Sequence, residues 1–553
     1  MDPHLKGCRF PIPALLQKEV ERSLLSQTEF QDLQTFYPGM GLLCSLKTAP
    51  EKDIWLDHEF RLVDVLSSQS TTRSGRVSLR IEKNIPESGS CLQDVSGFRK
   101  VTHLLDPARW IQGRYSFPKH TYLPWHPESW EAASEKLQDP MNQAYVEALA
   151  AYIVSRFRES NISPHFHLLY GCFCGKAATY TYAITDSYMS YRHSKWFWLN
   201  QEKKIFSIRV DEDVADDVKQ ALLEQPDELD DSSDETDSEE ELSGLDCSVS
   251  ETHSLHSAQS SAFLTDSSEQ SDSTDESHTS DDEELEIFVD IPNFPVMMIY
   301  TEASEGTMDD LLDDYIEVGC RPGTKQWDLT WKAWIFQVIA ALCVGQSLIG
   351  LTHNDLHSNN VVWSKTDSPY LFYKTNDGVC FQVPTFGKIF RIIDFGRAIF
   401  RLNKQIVFSD DFKEGNDAAE QFNFGELYEP SEPEVYPNPS FDLCRFTVSV
   451  FESLFPESPP VKKGGSILSK EPDLVMHETE SDLYNMLWSW LLCDDGHNVL
   501  MDPDGSERYP DFDLYKVISR EVHTAIPAEQ IRKPVFQCFQ TKELIQTAYP
   551  LFF

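Results

Sequence analysis

The chain has 553 residues, more than one hydrophobic core usually serves, so two or more domains, or one two-lobed domain with insertions, are expected. Its 90 acidic residues outnumber 47 basic ones for a formal net charge of −43, which argues against binding to nucleic acid, whose backbone needs lysine and arginine to displace counterions. Twelve scattered cysteines read as reduced thiols, and the N-terminal MDPHLKGCRF lacks an apolar signal core, so an intracellular protein, cytoplasmic or nuclear, with no membrane partner is expected.

Residues 1–55 form an extension with no readable pattern. From Phe60 the pattern turns strand-like: FRLVDVL, a Ser/Thr-rich loop, then RVSLRI, where Val77, Leu79 and Ile81 alternate with polar neighbours. This predicts a hairpin with a long turn. NQAYVEALAAYIVSRF sets Tyr145, Leu149, Tyr152, Ile153 and Phe157 on one helical face, and strands follow around HFHLLYG and YTYAI. Residues 210–286 then have the composition of disorder. Between Asp211 and Glu286 stand 28 acidic residues against one lysine, Lys219, so −27 of the −43 lies there. Runs such as SSDETDSEEE suit phosphorylation or a basic partner, and equally a purely solubilising insert.

Order returns with IFVDIPNFPVMMIYTEASEG. The helix TWKAWIFQVIAALCVGQ carries Trp331, Trp334, Ile335, Val338, Ile339 and Leu342 in register; Gln337, Gln346 and the polar loop behind it mark a buried helix rather than a membrane span. The strands NVVW, YLFYK, CFQVP and KIFRIID come next. From about Arg397 the chain reads as mainly helical, with Leu443, Phe446, Val450 and Leu454 on one face. Strands with one helix, followed by a helical half, give the segregated α+β class.

The polar loop THNDLHSNN holds His353-x-Asp355-x-x-x-x-Asn360, and Asp394-Phe395-Gly396 closes the apolar strand that follows. Phosphoryl transfer needs this inventory: a carboxylate that orients the attacking hydroxyl and accepts its proton, and hard oxygen ligands that hold Mg²⁺ against phosphates. Asp355 suits the first task, Asn360 and Asp394 the second. Each motif alone arises often by chance; both in this order, with matching flanks, do not.

With VPTFGKIFRIIDFGRAIF, PNPSFDLCRF and RYPDFDLYK, these residues resemble the protein-kinase superfamily, in wording the serine/threonine kinases of giant DNA viruses and protists. The resemblance covers most of the chain from about residue 60, apart from the insert. It implies a bilobal α+β fold with an N-lobe over 56–303 and a C-lobe over 304–553, ATP and Mg²⁺ (or Mn²⁺) as cofactors, and a protein serine or threonine hydroxyl as acceptor. On it, Asp355 is the catalytic base, Asn360 and Asp394 are the metal ligands, and His353, Phe395, Gly396 and Asp442 are structural supports. Lys100, in SGFRKVTHLL, would hold the phosphates, with Glu147 as its partner. Val77 would lie over the nucleotide, and the backbone of Thr301, Glu302 and Ala303 would meet adenine.

The sequence also departs from that pattern. Where a glycine-rich loop should cover the phosphates stands SSQSTTRSGRV, with only Gly75 and Val77 in place. Asn354 replaces the arginine that pairs with a phosphorylated activation loop. His357 takes the place of a lysine, as in small-molecule phosphotransferases of the aminoglycoside-kinase type. No A-P-E triplet follows the D-F-G. Two alternatives therefore stand beside the protein kinase: a pseudokinase scaffold, from the glycine-poor loop, and a small-molecule kinase, from His357. His165, His167, Cys172 and Cys174 match no standard zinc spacing, and DPDGSERYPDFD lacks the oxygen ligands of a calcium loop, so strand alternation and a turn are the expected readings.

Overall fold

The computed structural model describes residues 15–17, 29–43, 54–56, 59–67, 72–85, 89–115, 131–210, 216–226, 229, 286–402, 405–471, 474–542 and 547–551. The elements that place the site begin with strands β1 (Phe30–Gln34), β2 (Phe60–Ser67), β3 (Gly75–Ile85) and β4 (Gly89–His103). Helix α1 (Gln143–Glu159) and strands β5 (Leu169–Ala183) and β6 (Ile287–Glu302) follow. These strands build one curled antiparallel sheet in the order β1-β5-β6-β4-β3-β2, and Ser207–Val210 adds a further pairing to β6. Sheet and helices together make a mixed α+β fold.

The FRLVDVL and RVSLRI stretches form the expected hairpin of β2 and β3. The alternation places Val77, Leu79 and Ile81 in the core. In α1, Asn142 caps the N-terminus by accepting from the Ala144 N–H, and Tyr145, Leu149, Tyr152, Ile153 and Phe157 are all buried. The 1–55 segment contributes more than its sequence suggested. Its strand β1 lies on the edge of the sheet beside β5, and Tyr37, Met40 and Leu43 join the core.

Most of the acidic stretch expected to be unstructured, 230–285, lies outside the described residues, as do the phosphorylation and basic-partner expectations attached to it. Part of the expected insert is nevertheless described, and it is helical. A helix spans Asp216–Leu223, and its last turn is held by Tyr188, whose hydroxyl donates to the Leu222 carbonyl, and by Arg192 on the Ala221 and Glu224 carbonyls. The local VKQALL pattern outweighs the acidic composition around it.

The second half contains helix α2 (Lys325–Ile349), strands β7 (Val361–Lys365), β8 (Tyr370–Thr375), β9 (Cys380–Pro384) and β10 (Lys388–Ile392), then helices α3 (Phe441–Leu454), α4 (Asp482–Trp490) and α5 (Asp513–Glu521). Strand β7 pairs with β10, while β8 and β9 form a hairpin between them in sequence, extended by residues 540–541 and 549–551. Between 397 and 440 the described residues form a short hairpin (Phe400–Leu402 with Gln405–Val407), two 3-10 turns and loops rather than an α-helix, and over 429–440 the proline-rich EPSEPEVYPNPS cannot supply helical hydrogen bonds. Among the described residues α2 alone is long and apolar enough to cross a membrane, and most of its apolar stretch is buried. Its Trp327, Trp331 and Trp334 are fully buried, and Gln337 is satisfied by β10: it donates to the Lys388 carbonyl at 3.2 Å and accepts from the Phe390 N–H at 3.0 Å.

Candidate active site

The loop 352–360 is shaped from both ends. Gly350, at φ 59°, stops α2 in the left-handed conformation that favours glycine, and Thr352 then pairs with Ile399. Asp442, fully buried in the first turn of α3, accepts from the His353 N–H at 3.0 Å and the Asn354 N–H at 2.9 Å. Those bonds hold Asn354 at φ 63°, a cost for a residue with a side chain, and its amide nitrogen donates to the carbonyls of Thr352 and Arg397. His353 donates from Nε2 to the Ile393 carbonyl at 2.8 Å and accepts the Asp355 N–H at Nδ1, while its ring packs against Phe395 at 5.2 Å. His353, Phe395 and Asp442 thus brace the loop. Gly396 follows, beside the Gln143 side chain.

Asn360 ends the loop where β7 starts, and Asp394 follows the end of β10. Because Val361 pairs with Ile392 and the Ile393 N–H donates to the Asn360 carbonyl at 3.0 Å, the two residues emerge side by side from neighbouring strands. The Asn360 amide nitrogen lies 2.9 Å from the Asp355 carbonyl and 3.0 Å from His357 Nε2, so its oxygen is the atom left to act as a ligand.

Lys100 brings the distant parts together. Its ammonium donates to Glu147 Oε1 at 2.6 Å and stands 2.8 Å from Asp394 Oδ1. These three residues come from β4, α1 and the turn after β10. Burial alone would lower the Lys100 pKa, but Asp394 and Glu147 raise it above its ordinary value. Glu147 is buried deeply enough that its carboxyl is pushed up to about 7 although Lys100 opposes the shift. In Asp394, burial is outweighed by Lys100, which holds the carboxyl below its usual range.

Asp355 carries a partner the sequence did not reveal. The Tyr515 hydroxyl, from α5, donates to Asp355 Oδ1 at 2.8 Å and accepts from Arg445 Nε at 3.0 Å. Tyr515 stacks on Phe512 and leans on Phe441. Burial would raise the Asp355 pKa, but His357, Arg397, Arg445 and the Tyr515 hydrogen bond together hold it well below the usual carboxylate range. Arg397 itself forms a buried ion pair with Asp411 at 2.8 Å. No local signal could have found Tyr515, since its partner lies 160 residues earlier; Arg397 was visible only as the residue after Gly396.

The remaining candidates lie on the sheet that carries Lys100 or just past its end. Val77 is buried on β3 opposite Gly97, three residues along β4 from Lys100. Thr301 is held within the sheet between Phe98 and Leu169. The Glu302 N–H donates to the Leu168 carbonyl at 3.1 Å. Its carboxylate is committed to Arg158 at 3.0 Å and Arg391 at 3.3 Å. Ala303 lies one residue past the strand, outside the ladder. The two histidines near Cys172 and Cys174 bond within the fold: His165 bonds the Phe390 carbonyl and the Tyr373 hydroxyl, both at 2.8 Å, and His167 bonds Ser304 Oγ. In DPDGSERYPDFD the turn Asp502–Gly505 closes a short hairpin, with Met501 bridged to Glu507.

No protein-family model matches the chain, and no curated protein matches it.

Proposed function

We propose that this chain is a bilobal protein kinase that transfers the γ-phosphoryl group of ATP to a serine or threonine hydroxyl of a protein, with Mg²⁺ or Mn²⁺. The observation that carries the reading is the Lys100 ammonium bonded to both Glu147 and Asp394. Protein kinases place such a lysine on the third strand of the small lobe, pair it with a glutamate on the following helix, and use an aspartate after the next motif to hold metal. Here β4 is the third strand of a meander, α1 follows it, and three residues selected from separate sequence motifs converge.

On this reading Lys100 positions the phosphates, and Glu147 limits where its ammonium can go. Asp355, held ionised, orients the acceptor hydroxyl with the oxygen that Tyr515 leaves open and takes its proton late in the transfer. The Asp394 carboxylate and the Asn360 amide oxygen are the hard donors that suit Mg²⁺. When bound, the ion neutralises charge on the phosphates. The segment after Asp394 has its own small core of Ile399, Phe408, Phe412, Phe422 and Phe424, and with the Arg397–Asp411 pair this supports an activation segment that needs no added phosphate.

The test is transfer of labelled γ-phosphate from ATP to generic proteins and to the chain itself, with Mg²⁺ or Mn²⁺, comparing wild type with Asp355→Asn. Transfer that falls at least about 100-fold in the variant is expected. Well-folded wild type that neither transfers phosphate nor is stabilised by nucleotide would overturn the reading in favour of a binding scaffold. Nucleotide binding without protein labelling would redirect it to a small-molecule acceptor.

A further inference from the structure

The hairpin after α4 and the last turn of α5 bring a thiol, an imidazole and a carboxylate together. Cys493 and His497 face one another across a tight turn: the Cys493 N–H donates to the His497 carbonyl at 2.8 Å, and the Gly496 N–H returns to the Cys493 carbonyl at 2.9 Å. Gly496 sits at φ 94°, a conformation that glycine supplies without strain. Glu521 arrives from α5, and its own carbonyl accepts the Asp494 N–H at 2.8 Å, so backbone already ties the helix end to the turn. Cys493 Sγ, a His497 ring nitrogen and a Glu521 oxygen all lie within 4.8 Å of one another, with His497 Nε2 and Glu521 Oε2 3.9 Å apart.

We propose that Cys493, His497 and Glu521 bind a zinc ion that fastens the 493–497 turn to α5. Thiolate, imidazole and carboxylate together are a borderline-soft donor set that suits zinc better than magnesium or calcium. His497 is oriented for the task. Its Nδ1 faces the Asp495 carboxylate, which fixes the proton on that nitrogen and turns the Nε2 lone pair toward Glu521 and the Tyr509 hydroxyl, 3.0 Å away. That carboxylate-to-histidine contact is the usual second layer of a zinc site. Cys493 is buried while the Glu521 side chain is about half exposed, so one side of the cluster is protected and the other gives the ion a way in from solvent. With three protein donors, the fourth position falls to water. The ion would sit at the far end of the helix that presents Tyr515 to Asp355, but its binding does not depend on what that carboxylate does.

The experiment uses the full chain, stripped with a chelator and titrated with Zn²⁺ against a chromophoric competitor. Co²⁺ serves as a spectroscopic substitute. Wild type is expected to take up a single ion at this site and to show a thiolate-to-cobalt charge-transfer band that Cys493→Ser removes. Because Cys493 is buried, Glu521→Gln at the exposed rim is the variant that leaves the core intact; it should weaken Zn²⁺ binding about 10-fold or more, as should Asp495→Asn through His497. Circular dichroism confirms that each variant is folded. Wild type that binds no Zn²⁺ in the micromolar range overturns the proposal. So does uptake unchanged in both Cys493→Ser and Glu521→Gln, which would assign the metal to other cysteines.

Discussion

Replacing Lys100 with methionine tests the centre of the site through stability as well as activity. Lys100 is shared by two buried carboxylates, Glu147 at 2.6 Å and Asp394 at 2.8 Å, whose side chains are only 7% and 15% exposed. Removing it leaves both without their counter-charge, and breaking a buried pair in this way costs about 3–5 kcal/mol when the remaining group stays ionised. The cost should depend on pH. Glu147 already has its folded-state carboxyl raised to about 7 by burial, above its ordinary value. A raised acid stabilises the folded state fully below its unfolded pKa and loses that contribution as pH rises through the folded one. Without Lys100 the carboxyls are harder still to ionise, so Lys100→Met should be most destabilised near pH 8 and less so near pH 6. Adding Glu147→Gln, which removes one buried charge, should restore part of the loss. Urea denaturation of the single and double variants at the two pH values measures this. A Lys100→Met chain within about 1 kcal/mol of wild type at pH 8, or one that Glu147→Gln does not relieve, would refute the shared-ammonium account.

Three further outcomes are expected. Tyr515→Phe removes the hydroxyl between Arg445 and Asp355; a hydrogen bond to a charged group contributes about 1.5–3 kcal/mol, so phosphate transfer should fall about 10-fold or more with KM for ATP unchanged, and a shift confined to KM would remove Tyr515 from the base. Asp411→Asn strands the buried Arg397 and should cost about 3–5 kcal/mol while hydrogen exchange quickens over 399–435; unchanged exchange would show that the small aromatic core holds the segment alone. Because Asp355 is held below the usual carboxylate range, single-turnover transfer should show no acid limb from it between pH 8 and 5, whereas a limb near pH 6 that moves in Tyr515→Phe would contradict the electrostatics.

What the sequence carried about this site was local, and what it lacked was a matter of distance. His353, Asp355 and Asn360 stand within one loop, and Asp394 to Gly396 within one turn, so fixed spacing alone marked them. Lys100 and Glu147 were reachable because each lies on an element with clear periodicity, in an order that left few choices; their meeting at 2.6 Å follows from packing α1 against the sheet. Periodicity could not show which groups the sheet would consume, so the partners of Glu302 were not legible: its N–H faces Leu168 and its carboxylate is held by two arginines 144 and 89 positions away in sequence. Tyr515 was hidden by the same limit. A tyrosine on an amphipathic helix looks like any core aromatic until the fold sets its hydroxyl against a carboxylate 160 residues earlier, and nothing in RYPDFDLYK distinguishes it from Tyr509. On the proposed reading the consequence reaches the chemistry: His357, in the motif loop itself, is the first of the charges that keep Asp355 ionised, but Arg397, Arg445 and the Tyr515 hydrogen bond are brought to it by the tertiary fold, so changes in α3 or α5 would alter the carboxylate with every motif residue kept.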